Sequence, residues 1–207
     1  MINYSPEKMG DVAGHRMHKD LFQRAIERGY LNNHILLKGP HGIGKSSIAR
    51  IVSRELLWDT RMDLKIINCQ DEKPSDIYES IKYFTKTATI GSEHKIVIFE
   101  EIDELRKDFQ VKIEPYLDDT SDKGDRNTVF IATTNCIENG SSDISSKLWD
   151  IFDHREFGIL EESEIREYAE RINREYEIGL SGELIDKVVE KAEGKPRRVN
   201  QILGRYE

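Results

Sequence analysis

The stretch that decides the fold is residues 38–50, KGPHGIGKSSIAR, which joins a short apolar segment to a helical pattern. Its Gly39, Gly44, Lys45 and Ser46 satisfy the spacing G-x-x-x-x-G-K-S/T. Glycines let backbone N–H groups turn towards a bound anion, and the start of a helix adds partial positive charge. The stretch therefore predicts a loop that holds the phosphates of a nucleotide, with Lys45 on the β- and γ-phosphates and Ser46 on Mg²⁺.

Short apolar segments on either side of this loop predict the strands of a sheet. They lie at residues 34–38, 64–68, 95–99 and 128–132 and are rich in β-branched residues. Continuous apolar runs of this length are typical of parallel strands buried on both faces. A weaker fifth strand is expected near residues 154–158. Because helical patterns alternate with these segments, we expect a doubly wound α/β fold with a five-stranded parallel sheet between helices.

The helical segments show apolar residues three or four positions apart, and the first such stripe comprises Met17, Leu21, Phe22, Ala25 and Ile26. Beyond residue 158 the strands stop and three helical patterns follow, at residues 161–176, 183–193 and 196–206. This change predicts a nucleotide-binding domain over residues 1–158 and a small helical lid domain over residues 159–207.

Acidic residues follow the third predicted strand, where KIVIFEEIDEL contains Glu100, Glu101 and Asp103. If this strand rises beside the phosphate strand, the first acid lies near Mg²⁺ and the second near an attacking water. Any one of these acids would be ordinary at a strand end, but together with the phosphate loop they favour a nucleotide hydrolase. Aspartate is usual at the metal-side position, and Glu100 is longer by one methylene.

Polar residues at two further places are candidates for the same site. The fourth strand ends in Thr134 and Asn135, which we expect between the tips of the other two strands, where Asn135 can orient water against the γ-phosphate. Asparagine at a strand end is more often a turn residue. Arg197 and Arg198, at the start of the last helical pattern, are equally consistent with a solvated basic turn.

Composition limits the class of protein. Of the 207 residues, 37% are hydrophobic and 34% are charged, and no apolar run approaches the ~20 residues that span a bilayer. The N-terminal sequence lacks the features of a signal peptide. The net charge of −8 gives no footprint for avid nonspecific DNA binding. Cys69 and Cys136 lie far apart in apolar contexts, so we expect reduced core thiols in a cytoplasmic protein.

These segments together resemble the AAA+ ATPases and, among them, the small subunits of sliding-clamp loaders of the replication factor C type. Residues 39–47 resemble the Walker A loop, residues 95–110 the Walker B strand and its helix, residues 132–135 (ATTN) the first sensor and residues 194–203 (GKPRRVNQIL) the second sensor. Two stretches point to clamp loaders in particular: YSPEKMGDVAGH at the start and INCQDEKPSDIYESIKYFTKTATIG after the second strand.

The resemblance implies a role for each matching residue. The adenine pocket would be lined by Tyr4, Val12, Ala13 and Gly14. The phosphates and the metal would be held by Gly39, Pro40, His41, Gly42, Ile43, Gly44, Lys45, Ser46 and Ser47. Catalysis would involve Glu100 at the metal, Glu101 as the base that polarises water, Asn135 as first sensor and Arg197 as second sensor. The implied cofactors are ATP and Mg²⁺, and the implied partners are other AAA+ clamp-loader-like subunits, a sliding clamp and primed DNA, with no membrane.

The sequence departs from the family pattern at several positions. Ile151 stands where family members usually carry an arginine finger, and Arg155 follows four residues later. Glu114 and Pro115 stand where loader subunits commonly carry arginines, which weakens the case for DNA contact by that helix. Ser5 stands where the family often has arginine. With no sequence matching a collar domain, we expect a weakly associating protein with poor ATPase activity on its own.

Two classes of function therefore remain open. One is an ATPase subunit of a clamp-loader-like assembly that acts in DNA replication. The other is a regulatory or scaffold module that binds nucleotide and hydrolyses it weakly, because of Glu100 and the missing finger. Initiators, helicase loaders and branch-migration motors of the AAA+ class are nearer alternatives to the first.

Overall fold

The structure is a computed structural model that describes residues 4–118, 127–135 and 143–206. Within these ranges Cys69 is a free, buried thiol, and burial raises its pKa well above the ordinary value, which fits the expected inert core cysteine. Cys136 lies outside the described residues. In the described part of the chain, no helix combines the length and the apolar character that a membrane crossing requires.

Five parallel strands form a single sheet in the order β2-β3-β4-β1-β5. The strands are β1 (Ile35–Lys38), β2 (Leu64–Asn68), β3 (Lys95–Glu100), β4 (Thr128–Thr134) and β5 (Asp153–Glu156). All five predicted strands are thereby confirmed, with small shifts at their ends. One detail of the expectation is wrong: β3 is not the direct neighbour of the phosphate strand β1, because β4 lies between them. The tip of β4 therefore does lie between the other two tips, as expected.

Helices cover both faces of this sheet. They are α1 (Arg16–Arg28), α2 (Lys45–Leu56), α3 (Thr60–Asp63), α4 (Pro74–Phe84), α5 (Lys107–Leu117), α6 (Ser146–Ile151), α7 (Glu162–Glu175), α8 (Gly182–Ala192) and α9 (Pro196–Leu203). Short 3₁₀ helices occur at Met9–Asp11 and Ile102–Glu104. Successive strand residues point to opposite faces, so Leu37 belongs to the core under α1 and α2 while Leu36 belongs to the core under α4 and α5.

The first helix corrects one detail of the predicted stripe. Phe22 and Ala25 are buried, as expected, but Met17 is 85% exposed. The buried face of α1 follows His18, Phe22 and Ala25, and the ring of His18 stacks on Phe157 with the centroids 4.4 Å apart. Met17 lies to one side of that face because an α-helix advances about 100° per residue.

The helices after β5, here called the lid helices (α7, α8 and α9), pack on one another and on the core beside α2. Ile165, Val188 and Leu203 are buried in the same apolar cluster as Ile48 of α2. Two backbone hydrogen bonds hold this part of the chain: Leu160 N, at its start, donates to Gly194 O at 3.1 Å, and Arg197 N, in α9, donates to Gly42 O at 3.2 Å. The second of these bonds brings α9 directly onto the predicted phosphate loop. The boundary between residues 158 and 159 stays a prediction.

Candidate nucleotide-binding site

The phosphate loop has the backbone that its glycines predict. It connects the end of β1 to the start of α2, and Gly39, Gly42 and Gly44 have φ angles of +145°, +77° and +109°. A Cβ atom at Gly39 would lie 2.1 Å from the carbonyl oxygen of Phe157, and one at Gly42 would lie 2.9 Å from the Cβ of Arg197. Both the backbone conformation and the close approach of neighbouring elements therefore require glycine at these two positions.

Lys45 is the buried cation of this loop. Its Nζ donates hydrogen bonds to Gly39 O at 2.6 Å, to Pro40 O at 2.8 Å and to Asn135 Oδ1 at 3.1 Å. Burial lowers the pKa of Lys45 to about 8, although the nearby carboxylates of Asp103 and Glu101 act in the opposite direction. The ammonium group thus lies where it can bind phosphate oxygens. The negative charge of a bound phosphate would stabilise the charged form of Lys45.

Glu101 lies at the end of β3 in an uncommon backbone conformation. Its φ and ψ are both +57°, in the left-handed region that residues other than glycine rarely adopt. The conformation is held from the neighbouring strand, because Glu101 N donates to Thr133 Oγ1 at 3.1 Å. The carboxylate lies 3.6 Å from Nδ1 of His41 on the phosphate loop. Strained backbone of this kind is typical of functional sites, where the fold holds one side chain in place.

These groups surround a cavity of about 350 Å³ between the phosphate loop, the N-terminal segment and the lid helices. Its volume falls within the range of pockets that hold small ligands. Most of the predicted site residues line it: Tyr4, Val12, Ala13, His41, Gly42, Ile43, Gly44, Lys45, Ser46, Ser47, Glu101, Asn135 and Arg197. The fold therefore brings together residues that are spread from the start of the chain to its last helix.

Three predicted residues of the loop and the opening segment do not line this cavity. Gly39 and Pro40 contribute instead through their carbonyl oxygens, which accept hydrogen bonds from Lys45. Gly14 has a φ of +55°, and a Cβ there would lie 2.5 Å from Leu160 and 2.9 Å from Glu164. Gly14 therefore lets the opening segment pack closely against the start of the lid and does not lie in the cavity wall.

Glu100 also lies away from the cavity wall, in contrast to its predicted contact with the metal. Both of its carboxylate oxygens accept hydrogen bonds from Arg50, from Nε at 2.9 Å and from Nη2 at 2.8 Å. The Glu100 side chain is only 14% exposed. Side chains alternate along a strand, and the left-handed turn at Glu101 separates the two acids further, so Glu100 faces α2 while Glu101 faces the cavity. A role for Glu100 at the metal therefore stays a proposal.

The oxygen atoms of Ser46 and Glu101 fit a magnesium ion that binds together with a nucleotide. Mg²⁺ prefers oxygen ligands, keeps several waters, and is usually bound through few protein groups together with phosphate oxygens. Ser46, at the start of α2, and Glu101 both line the cavity and provide such oxygens. Among the described residues, no cluster of three or more His, Cys, Asp or Glu side chains could hold a metal by itself. Phosphate and water would therefore supply most of the ligands.

The structure also shows cavity residues that the sequence interpretation did not assign. They are Ser5, Pro6, Asp11, Thr133, Tyr168, Pro196 and Asn200. Asn200 Nδ2 donates to Tyr4 O at 3.2 Å, and Tyr168 Oη donates to Asn200 Oδ1 at 2.9 Å. This chain of hydrogen bonds ties the opening segment to the lid helices. Ser5, Pro6 and Asp11 belong to the opening stretch that carried the resemblance, whereas no sequence pattern singled out Tyr168.

The residues at and near the expected finger position are engaged within the chain. Ile151 is half-buried and packs against the core under α5 and α6. Arg155, on the edge strand β5, forms an ion pair with Asp153 and donates from Nη1 to His154 O at 2.9 Å. Its side chain is 25% exposed. The lack of an arginine finger at residue 151 therefore stays a prediction. To act as a finger in its place, Arg155 would have to break its contacts with Asp153 and His154.

Two further residues that the sequence singled out, Glu114 and Arg198, have defined partners in the structure. Glu114 is buried, and its Oε1 accepts a hydrogen bond of 2.6 Å from Ser145 Oγ, the residue that caps α6. Arg198 forms an ion pair with Glu193 and does not line the cavity, whereas Arg197 does. Of the two arginines, Arg197 is therefore the one that faces the cavity, and its role as second sensor stays a prediction.

The family model of the ATPases associated with various cellular activities (AAA) matches residues 35–157, which run from β1 to just beyond β5. The chain belongs to the AAA family. Within that family it is 29% identical over 201 residues to the replication factor C small subunit of Haloarcula marismortui. The matched stretch covers 94% of this chain and 58% of that protein. It is likewise 29% identical over 212 residues to the replication factor C small subunit of Methanosarcina mazei, covering 96% of this chain and 58% of that protein. This AAA chain thus spans about three-fifths of the length of these curated relatives.

Solved structures of another protein share the fold of this chain. The Thermotoga maritima RuvB Holliday junction branch migration motor superposes with a TM-score of 0.74 at 20% identity, over 98% of this chain and 64% of that chain. A variant of the same protein gives a TM-score of 0.77 at 19% identity. At these identities the likeness confirms the predicted AAA+ P-loop fold and carries no statement about function.

Proposed function

We propose that the protein binds ATP with Mg²⁺ between its nucleotide-binding domain and its helical lid, and hydrolyses it as a subunit of a clamp-loader-like assembly in DNA replication. One observation carries the proposal: four separate parts of the chain converge on one cavity. Lys45 contacts Asn135 at 3.1 Å, Glu101 lines the same space, and Arg197 N reaches Gly42 O at 3.2 Å. The family is one of ATPases, and the named relatives are replication factor C small subunits.

Each of these residues has a distinct task in the proposed reaction. Lys45 and the loop N–H groups hold the phosphates, and Arg197 approaches them from the lid. Glu101 accepts a hydrogen bond from the attacking water and directs it towards the γ-phosphate, while Asn135 fixes the orientation of that water. Bound Mg²⁺ would neutralise charge on the β- and γ-phosphates, with Ser46 as its protein ligand. The left-handed backbone at Glu101 holds the carboxylate in place for this task.

The proposed partners are other clamp-loader-like AAA+ subunits, a sliding clamp and primed DNA. Support comes from the names of the curated relatives, which are replication factor C small subunits. In the proposed assembly a neighbouring subunit supplies an arginine to the nucleotide site. Ile151 at the expected finger position and Arg155 paired with Asp153 fit a subunit that depends on such a neighbour. The net charge of −8 and the buried Glu114 favour DNA contact through the assembly over direct contact by α5.

A second candidate function is a regulatory module that binds ATP but hydrolyses it weakly. The engagement of Glu100 by Arg50 favours this candidate, because that carboxylate does not face the cavity. Steady-state ATP turnover separates the two, measured alone and with primed DNA, a sliding clamp and a clamp-loader subunit that carries an arginine finger. A steep rise on adding the partners is expected for the clamp-loader subunit. Turnover that stays at the level of the protein alone in every mixture, while ATP still binds, would favour the regulatory module.

A further inference from the structure

The pair formed by Arg50 and Glu100 is a charged contact that the proposed mechanism does not use. The two guanidinium nitrogens Nε and Nη2 donate to the two carboxylate oxygens at 2.9 Å and 2.8 Å. The Arg50 side chain is 39% exposed and the Glu100 side chain is 14% exposed. Forked pairs of this geometry are more directional than single ion pairs, and partial burial reduces their screening by solvent.

The pair connects the two parts of the chain that carry the proposed metal-binding oxygens, α2 and the end of β3. Ser46 and Arg50 are one helical turn apart, so they lie on the same face of α2. Glu100 ends β3 and immediately precedes Glu101, which lines the cavity. Its own backbone is fixed by the neighbouring strand, because Cys69 N donates to Glu100 O at 3.0 Å. The position of the Glu100 carboxylate is therefore determined by Arg50 on one side and by the sheet on the other.

This arrangement has two consequences for a divalent cation next to Ser46. The positive charge of Arg50 cancels much of the attraction that the Glu100 carboxylate would exert on the cation. Direct contact between Glu100 and the cation would also require both hydrogen bonds to Arg50 to be broken or rearranged. The length of glutamate matters for this contact with Arg50, since the carboxylate of an aspartate at residue 100 would be one methylene closer to the backbone.

We propose that Arg50 is a positioning residue that holds Glu100 away from the metal, and that the Arg50–Glu100 pair thereby raises the Mg²⁺ concentration that nucleotide binding requires. The inference rests on the proposed function, because it assumes that ATP and Mg²⁺ bind at the phosphate loop. In the intact pair, Glu100 acts on the metal only through bound water.

The test is a titration of Mg²⁺ into the protein with a fluorescent ATP analogue, reading nucleotide binding and not turnover. Wild type, Arg50→Leu, Glu100→Gln and the double variant are compared. We expect Arg50→Leu to lower the half-saturating Mg²⁺ concentration by up to about fivefold, the range for one partly exposed ion pair. In the Glu100→Gln background the same substitution should have a clearly smaller effect, because it still removes the repulsion between Arg50 and the cation but releases no carboxylate.

Control variants separate this role from a purely structural one. Arg54→Leu changes an exposed arginine one turn further along α2 and should leave the Mg²⁺ dependence as in wild type. Arg50→Lys keeps the charge without the fork and should give an intermediate value. If Arg50→Leu does not fold, as judged by thermal melting without nucleotide, Arg50→Lys carries the test and is compared with and without the Glu100→Gln substitution.

The outcomes discriminate between the inference and the proposed function. An unchanged or raised Mg²⁺ requirement in Arg50→Leu, or an equal effect with and without Glu100→Gln, would overturn the role of Arg50 while leaving the ATP site intact. Failure of the wild type to bind the analogue at any Mg²⁺ concentration would overturn the proposed function, and the role of Arg50 with it.

Discussion

Lys45 Nζ and Asn135 Oδ1 lie 3.1 Å apart, although the two residues are separated by 90 positions in the chain. The contact follows from the sheet, because β1 and β4 are parallel neighbours and their carboxyl ends meet. Asn135 therefore holds the phosphate-binding lysine and is also placed to orient water at the γ-phosphate.

Replacing Asn135 by alanine should separate these two tasks. One lost hydrogen bond contributes about 1 kcal/mol, so ATP affinity should fall only several-fold in Asn135→Ala. Turnover should fall further, because the water loses an orienting group. Calorimetry and steady-state turnover on the same preparation measure both effects. A loss of affinity without any additional loss of turnover would mean that Asn135 acts only through Lys45.

The charge state of Lys45 should make metal-free ATP binding depend on pH. Its pKa is about 8 in the protein without nucleotide, because burial disfavours the charged form. A bound phosphate favours the charged form, so the pKa is higher in the complex and the complex retains a proton that the free protein loses as pH rises. Affinity should therefore be constant well below a pH of about 8 and should fall above it, by up to about tenfold per pH unit.

The measurement is an ATP titration in the presence of EDTA at a series of pH values around this pKa of about 8. Lys45→Arg is the matched control, since arginine stays charged throughout this range and should remove the dependence. The same decline in affinity in Lys45→Arg as in wild type would assign the titration to another group.

Glu101→Gln should keep ATP binding and lower turnover by about 10²–10⁴-fold, the usual range for a positioned general base. The glutamine retains the shape of the side chain but cannot attract the proton of the attacking water. Asp103→Asn is the comparison, because Asp103 lies two residues later in the 3₁₀ helix Ile102–Glu104. If turnover survives Glu101→Gln and falls only with Asp103→Asn, the base is Asp103.

The hydrogen-bonded chain from Tyr168 to Tyr4 should support the nucleotide-binding wall. In Tyr168→Phe, Asn200 loses its 2.9 Å partner and the opening segment is held less firmly. We expect ATP affinity to fall by up to about tenfold, the equivalent of roughly one hydrogen bond. Tyr206→Phe removes a hydroxyl from an exposed tyrosine and serves as the control. Equal affinities in the two variants would show that the Tyr168 hydroxyl does not support nucleotide binding.

Strands and the phosphate loop were predictable because their signals are local. β2 (Leu64–Asn68) has the predicted bounds, and the glycines of the loop carry their own backbone requirement. The order of strands is a property of the whole fold, which is why the expectation that β3 lies beside β1 was wrong. Helical periodicity gives the spacing of apolar residues but fixes the direction of the buried face only loosely, and Met17 consequently proved to be exposed.

Side-chain partners from distant elements were the least predictable part of the site. Glu100 was assigned from its position at the end of a strand, but its orientation depends on Arg50, which lies 50 residues earlier in the chain. Tyr168 stands in a helix whose apolar spacing explains the buried residues around it, so nothing distinguished it from a core tyrosine. In both cases the information lies in a tertiary contact that no local pattern encodes.

The central claim is that the cavity around Lys45 binds ATP, and a calorimetric titration of ATP with Mg²⁺ tests it most directly. Wild type is compared with Lys45→Ala and with Lys187→Ala, which removes an exposed lysine on α8 far along the chain. We expect saturable binding in wild type and in Lys187→Ala, and the loss of most of the affinity in Lys45→Ala, because the phosphates lose the buried cation of the loop. Equal ATP affinity in wild type and Lys45→Ala would contradict the assignment of the site.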